Sequence, residues 1–165
     1  LTKLKEQKNK ETNEINILKE KAEEYLLKRQ DFISTKVIIK DLIKTGMVDS
    51  SLRPVNGYML LGFLQDDIRF DTQRGLMAGL HSDKFIGVFQ DLETQLINTF
   101  KANNNSLSIN DVKYYLSDRR DLHEASLANF LDSNDSFERL STNLYCLVGE
   151  SSDVDITDDD LYKDW

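Results

Sequence analysis

The sequence predicts an α+β fold, mainly α-helical with two small β-hairpins. The main observation is an internal repeat: the apolar run at residues 60–64, a five-residue spacer and Phe70 recur as residues 127–131, a spacer of the same length and Phe137. In each copy the apolar spacing is that of a helix end, and the residues beyond the spacer alternate as in a strand. The same order in two separate stretches indicates a duplicated unit.

A hairpin closes each copy of the repeat. Residues 70–80 turn at Gln73-Arg74-Gly75, and residues 137–148 turn at Ser141-Thr142-Asn143. Glycine, serine and asparagine suit such turns, because they adopt the required backbone angles or bond to the turn backbone.

Two further helices are predicted ahead of the repeated stretch in each unit. The nearer one covers residues 33–43 in the first unit and 107–116 in the second. The outer one covers residues 15–27 in the first unit and begins after Ser82 in the second, where apolar residues step by three or four. Those apolar residues are Phe85, Phe89, Leu92, Leu96 and Phe100. Each unit is therefore predicted as helix, helix, helix, hairpin.

Residues 1–31 are predicted to form a long connector helix. Charged residues interrupt its apolar stripe near the start, which disfavours a free-standing coiled coil. The stripe is continuous from Ile15, so the second half should pack on the first unit. Ser34 or Thr35 is expected to cap the next helix, which should end near Gly46.

This order of elements resembles two tandem winged helix-turn-helix modules preceded by a long helix. The predicted division is a connector at residues 1–31, a first module at 32–81 completed by the helix at 15–27, and a second module at 82–149. An acidic tail at 150–165 follows, with one lysine against seven acidic residues. That composition is typical of a disordered segment.

One helix of the first module carries a more specific resemblance. Its sequence Gly57-Tyr58-x-x-Leu61-x-x-Leu64 resembles the LOTUS (OST-type) winged-helix modules, which bind RNA or helicase partners. The second copy has His123-Glu124 where Gly-Tyr would stand. The pattern is also similar to the helix-turn-helix of sigma-factor region four, but without its basic reading helix.

The composition disfavours several kinds of site. The single cysteine, Cys146, cannot form an internal disulfide or a cysteine zinc site, and it fits a reducing compartment such as the cytoplasm or a eukaryotic nucleus. No glycine-rich phosphate loop occurs, and His81 and His123 lie in different modules without matching ligands. No apolar run reaches the ~20 residues that cross a bilayer. We therefore expect a non-enzymatic protein without catalytic residues, cofactor, metal or membrane contact.

One stretch of the tail has the spacing of a calcium loop. Asp153, Asp155, Thr157 and Asp164 fall at its positions 1, 3, 5 and 12. Position 6 carries Asp158 instead of the usual glycine, and position 12 carries an aspartate instead of the longer glutamate. These departures disfavour calcium binding.

Winged helices most often bind DNA by placing the third helix in the major groove. Here the predicted third helices, residues 55–67 and 122–135, contain no lysine or arginine but several acidic residues, which phosphates repel. Only amides such as Asn56 and Gln65 could read adenine. The sequence therefore favours a module that docks a protein partner within a larger regulatory or assembly protein. The candidate partner-binding residues are Tyr58, Asn129, Tyr162 and Trp165.

The sequence also leaves two alternatives open. In the first, the chain binds DNA or RNA through basic residues of the second helices, the turn that follows and the hairpins. These are Lys36, Lys40, Lys44, Arg69, Arg74, Arg119, Arg120 and Arg139. In the second, the chain is an acidic inhibitor or mimic that acts on a DNA-binding protein, with the tail at residues 150–165 as the acidic element.

Overall fold

The computed structural model describes residues 2–48 and 55–149. The described residues form two compact units, which divide between residues 89 and 90. The described part of each unit combines helices with one antiparallel sheet of three strands, so the predicted α+β class is confirmed. The tail at residues 150–165, with its calcium-loop spacing and with Tyr162 and Trp165, lies outside the described residues.

The described part of the first unit contains three helices and a small sheet. The helices are α1 (Thr2–Arg29), α2 (Thr35–Lys44) and α3 (Gly57–Gln65). The strands are β1 (Ile33–Ser34), β2 (Phe70–Gln73) and β3 (Met77–Leu80), in the order β1-β3-β2. The hairpin predicted at residues 70–80 is therefore confirmed.

The second half of α1 forms one wall of the first core. Leu18, Ala22 and Leu26 are buried there together with Leu42 of α2 and Leu60 of α3. Their spacing along α1 places them on one face of the helix. The prediction that this half packs on the first unit is confirmed.

Side-chain caps set the ends of α2 and α3. The hydroxyl of Ser34 accepts a hydrogen bond from the backbone N–H of Lys36, and the side chain of Asn56 accepts one from that of Met59. These contacts satisfy backbone donors that have no partner within the helix. Just beyond the end of α2, Gly46 has a φ of 77°, a conformation that favours glycine. The predicted cap at Ser34 and the predicted helix end near Gly46 are both confirmed.

The described part of the second unit repeats this order. Its helices are α4 (Leu92–Ala102), α5 (Ile109–Leu116) and α6 (Glu124–Ser133). Its strands are β4 (Ser106–Ser108), β5 (Phe137–Arg139) and β6 (Leu144–Leu147), in the order β4-β6-β5. Leu96, Phe100, Val112, Leu127 and Tyr145 lie at the centre of its core.

The sequence predicts helices that begin at Ile33 and Leu107, and this is wrong at both starts. Each residue lies in a short strand that pairs with the last strand of its own unit, Ile33 with Ala78 and Leu107 with Tyr145. The helix begins only beyond the serine that caps it. Each sheet therefore has three strands rather than the two of a simple hairpin.

The helix predicted to begin after Ser82 begins instead at Leu92. The carboxylate of Asp91 accepts a hydrogen bond from the backbone N–H of Thr94 and so caps α4. The helix starts after Asp91 and not earlier because the apolar residues before it pack in the core of the first unit. Phe85 and Phe89 continue the helical spacing of α4 but belong to a different core.

Those two phenylalanines pack on the first unit. The ring of Phe32 lies edge-on to Phe85 and to Phe89, with ring centroids 5.6 Å apart in both pairs. The side chain of Gln30 also holds this segment, because its amide donates to the carbonyl of Lys84 and accepts from the N–H of Ile86. Residues 82–89, which the sequence assigns to the second module, therefore fall within the first compact unit.

Candidate binding surfaces

The exposed side of α3 is uncharged. Tyr58 is 64% exposed, Gly62 and Gln65 are exposed, and Leu61 is half-buried between them. These positions share one face of the helix. Nothing lies within 4 Å of the position that a Cβ would take at Gly62, so the surface there is open. We call these four residues the α3 face.

A close helix crossing positions Tyr58. A Cβ added at Gly57 would lie 2.8 Å from the backbone nitrogen of Lys36, so α2 and α3 meet almost backbone to backbone. The hydroxyl of Thr35 donates to the carbonyl of Gly57 at 2.7 Å. The ammonium of Lys36 then lies 5.1 Å from the centroid of the Tyr58 ring, within cation–π distance.

The three predicted lysines lie together on α2. Lys40 and Lys44 are exposed, whereas Lys36 is half-buried beside Tyr58. They recur every four residues, so successive lysines are about 6 Å apart along the helix axis. We call Lys36, Lys40 and Lys44 the lysine row.

The hairpin arginine of the first unit is held by carboxylates of its own unit. Arg69 donates to both oxygens of Asp67, at 3.0 and 2.7 Å, and to Glu23 at 3.0 Å. The Arg69 hydrogen bonds hold the pKa of Asp67 well below its usual range, and the same contact raises the pKa of Arg69. Arg74 is exposed in the turn between β2 and β3.

Arg139 of the second hairpin is held in the same way. It donates to both oxygens of Asp132, at 3.0 and 2.7 Å, and to the carbonyl of Thr142 at 2.8 Å. The hydroxyl of Tyr145 donates to the same carboxylate at 2.8 Å. Hydrogen bonds from Arg139 and then Tyr145 lower the pKa of Asp132. Bidentate contacts within the same unit therefore already use the guanidinium groups of Arg69 and Arg139.

The two arginines after α5 have different environments. Arg120 is only 7% exposed, because its guanidinium donates to the side-chain oxygen of Gln95 and to the carbonyl of Gln90. Burial lowers the pKa of Arg120, and the charge of Asp91 opposes that effect. Arg119 is half-buried with its guanidinium near Asp118. Only Arg119 of this pair is therefore placed to meet a ligand at the surface.

The exposed side of α6 is small and acidic. Asn129, a candidate contact, is exposed between Ala125, Ser126 and Ser133. Asp132 lies on the same side and is engaged by the hairpin. Neither α6 nor α3 contains a lysine or arginine.

A cleft of about 300 Å³ opens beside α4 in the second unit, and the sequence reasoning missed it. Its lining consists of Gln90, Gln95, Asn98, Thr99, Ala102, Asn103, Tyr115 and Arg119. Polar residues recur along α4 beside its apolar stripe, at Gln95, Asn98 and Thr99, and this second stripe is the signal that could have revealed the cleft. None of the lining residues in the described part of the chain is acidic.

Within residues 2–48 and 55–149, no group of three or more histidine, cysteine or acidic side chains could hold a metal ion. Burial, with the nearby charge of Glu138, raises the pKa of the Cys146 thiol, which disfavours the reactive thiolate. No helix in the described part of the chain is both long and apolar enough to span a bilayer.

No protein-family model matches the chain. No significant match was found among curated proteins or among solved structures.

Proposed function

We propose that the chain is a non-enzymatic pair of winged-helix modules, part of a larger regulatory or assembly protein, that docks a protein partner through the α3 face. The proposed location is the cytoplasm, or the nucleus of a eukaryotic cell. The described part of each unit has the order helix, strand, helix, helix, strand, strand, and in each sheet the last strand is central. This order supports the winged-helix assignment.

The two units also agree in register. Ile33 pairs with Ala78 as Leu107 pairs with Tyr145. The first residue of the following helix then donates its N–H to a carbonyl of the hairpin turn, in both units at nearly the same distance, 2.8 and 2.9 Å. Such agreement supports a duplicated module.

The observation that carries the proposed role is the absence of cations from α3 and α6. A helix that reads the major groove needs lysine or arginine for the commonest base contact and must lie close to phosphates. The α3 face instead presents an exposed tyrosine beside an apolar residue and an open glycine. Tyrosines of this kind are over-represented among the residues that dominate protein–protein binding.

A photo-crosslinking phenylalanine analogue tests the proposal in the full chain. We expect the analogue at Tyr58 to give a discrete protein adduct in cells, and the analogue at Tyr114, which is 75% exposed on α5, not to give it. Gly62→Arg places a long cation on the open part of the α3 face and should abolish the adduct. Identical adducts from both positions, or an adduct that survives Gly62→Arg, would contradict docking at this face.

Nucleic-acid binding is the second candidate function, and the lysine row beside Tyr58 favours it. Such binding would fall steeply between low salt and about 0.2 M salt, because each phosphate contact releases a counterion. A gel shift with the full chain should then be lost in Lys40→Glu/Lys44→Glu. It should be kept in Lys8→Glu/Lys10→Glu, an equal charge change at exposed positions of α1. No shift at either salt concentration removes this candidate.

A further inference from the structure

Gln95 lies in the wall of the cleft beside α4. Gln95 is 5% exposed, and its side-chain oxygen accepts from the Nε–H of Arg120. A guanidinium can only donate, so this contact fixes which end of the amide faces Arg120. The amide nitrogen is left on the other side. In the described part of the chain, no hydrogen bond from it is formed, which is uncommon for a buried polar group.

Arg120 is a second buried donor, and it is in direct contact with Gln95. Arg120 uses its Nε and one terminal nitrogen, on Gln95 and the carbonyl of Gln90. Its positive charge polarises the Gln95 amide, because hydrogen bonds in a chain strengthen one another in a low-dielectric interior. The Gln95 N–H groups are therefore strong donors without an acceptor among the described residues.

The rim of the cleft adds a cation that is loosely held. Arg119 lies 3.3 Å from the carboxylate of Asp118 and 3.5 Å from the carbonyl of Tyr115, both at the long limit of a hydrogen bond. Its guanidinium can turn towards a ligand at little cost. Guanidinium groups recognise carboxylates and phosphates through paired hydrogen bonds.

The remaining lining suits a small organic anion. Asn98 is exposed and can donate or accept, and Tyr115 is 43% exposed and offers a ring to stack on. The volume of about 300 Å³ is at the lower end of small-molecule sites. The described lining residues include no carboxylate that would repel an anion, although the carboxylate of Asp118 lies beside Arg119.

We propose that this cleft binds a small molecule carrying an oxyanion, a carboxylate or a phosphate group, which accepts from the amide of Gln95 and pairs with Arg119. The site lies wholly in the second unit. It does not depend on partner docking at the α3 face.

The experiment is a titration of the ¹⁵N-labelled full chain with phenyl phosphate, benzoate and neutral benzamide. The three compounds share a ring and differ in the group that they present. We expect the Gln95 side-chain amide signals to shift with one or both anions and not with benzamide. A shift with phenyl phosphate alone assigns a phosphate, and a shift with benzoate alone assigns a carboxylate. No shift with either anion, or an equal shift with benzamide, overturns the proposal.

Three variants separate this site from adventitious binding. Gln95→Glu keeps an oxygen towards Arg120, so the fold is retained, but it replaces the donor with a negative charge. Arg119→Gln removes the rim cation, and Arg74→Gln is the matched control, an equal charge loss in the first hairpin turn. Since the amide of residue 95 is lost in one variant, binding is followed by the backbone N–H of Asn98. We expect affinity to fall about tenfold or more in the first two variants and to be unchanged in the control. If all three variants bind the anion with the same affinity, the anion is an adventitious additive only and the proposal is overturned.

Discussion

Substituting alanine at two glycines of the same helix should have opposite effects on stability. Gly57 begins α3, where an added Cβ would lie 2.8 Å from the backbone nitrogen and 2.9 Å from the Cα of Lys36. Gly62 lies in the exposed middle of α3 with nothing within 4 Å of its Cβ position. Neither glycine has a positive φ, so alanine is not strained by the backbone conformation at either site. The sites differ in the room that is available for the added Cβ.

The contacts set the size of each effect. At Gly62, alanine lowers the entropy cost of forming the helix and should stabilise the first unit by about 0.5–1 kcal/mol. At Gly57, alanine gains less than this near the helix start and must also push α2 away from α3, at about 1–3 kcal/mol of overpacking. The close atoms at Gly57 include backbone, which cannot rotate aside as a side-chain end can. We therefore expect Gly57→Ala to destabilise the first unit by about 1–2 kcal/mol.

Native-state hydrogen exchange in the full chain measures both changes. The buried amides of Ile38 and Leu60 report on the first unit, and that of Val112 reports on the second. Protection of the first two should fall in Gly57→Ala and rise in Gly62→Ala, with Val112 unchanged in both. A Gly57→Ala protein as stable as the wild type would refute the close crossing that positions Tyr58.

Three further predictions follow from the contacts described above. Phe85→Ala should destabilise the first unit by about 3 kcal/mol or more, while Val88→Ala, 75% exposed, should change it by less than about 0.5 kcal/mol. Equal losses in the two variants, measured by the same exchange experiment, would contradict the packing of residues 82–89 on that unit. The lowered pKa of Asp67 stabilises the folded state above the unfolded value of about 3.9, and this stability is lost as the pH falls towards the folded pKa. Urea unfolding of Asp67→Asn from pH 5 to about pH 2 should therefore show a shallower loss of stability than the wild type, and parallel curves would argue against the Arg69 contact. Tyr145→Phe removes one hydrogen bond to a carboxylate on α6 and should cost the second unit about 0.5–1.5 kcal/mol in urea unfolding, whereas no change would argue that this bond is not formed.

The sequence predicts the fold correctly where the local preference of a segment and its packing in the core favour the same structure. The hairpins, the caps and the docking half of α1 follow from apolar spacing and from residues whose short side chains satisfy helix ends. The start of α4 could not be predicted from the sequence. Phe85 and Phe89 have helical spacing, but they pack in the core around Phe32. Apolar spacing shows which face of a helix a residue would occupy, but it does not show which core that residue packs in.

The sequence predicts which surfaces carry charged side chains. It does not predict which of those side chains are buried or already paired within the fold. The absence of cations from α3 and α6 follows from the sequence alone. The burial of Arg120 does not, since an Asp-Arg-Arg-Asp turn has the composition of a solvated corner and Gln95 lies 25 positions away. The pairing of Arg139 with Asp132 is likewise set by the hairpin that brings them together.

The strand order has a consequence for synthesis of the chain. In each unit the central strand, β3 or β6, is the last to be made, and both of its neighbours precede it. Neither sheet can assemble until the ribosome has released that strand, so β1 and β4 must wait unpaired while their helices emerge. The first unit also needs residues 82–89 to cover Phe32. A nascent chain that has emerged from the exit tunnel only as far as Leu80 would therefore leave Phe32 uncovered for chaperones, and one that has emerged beyond Phe89 would not.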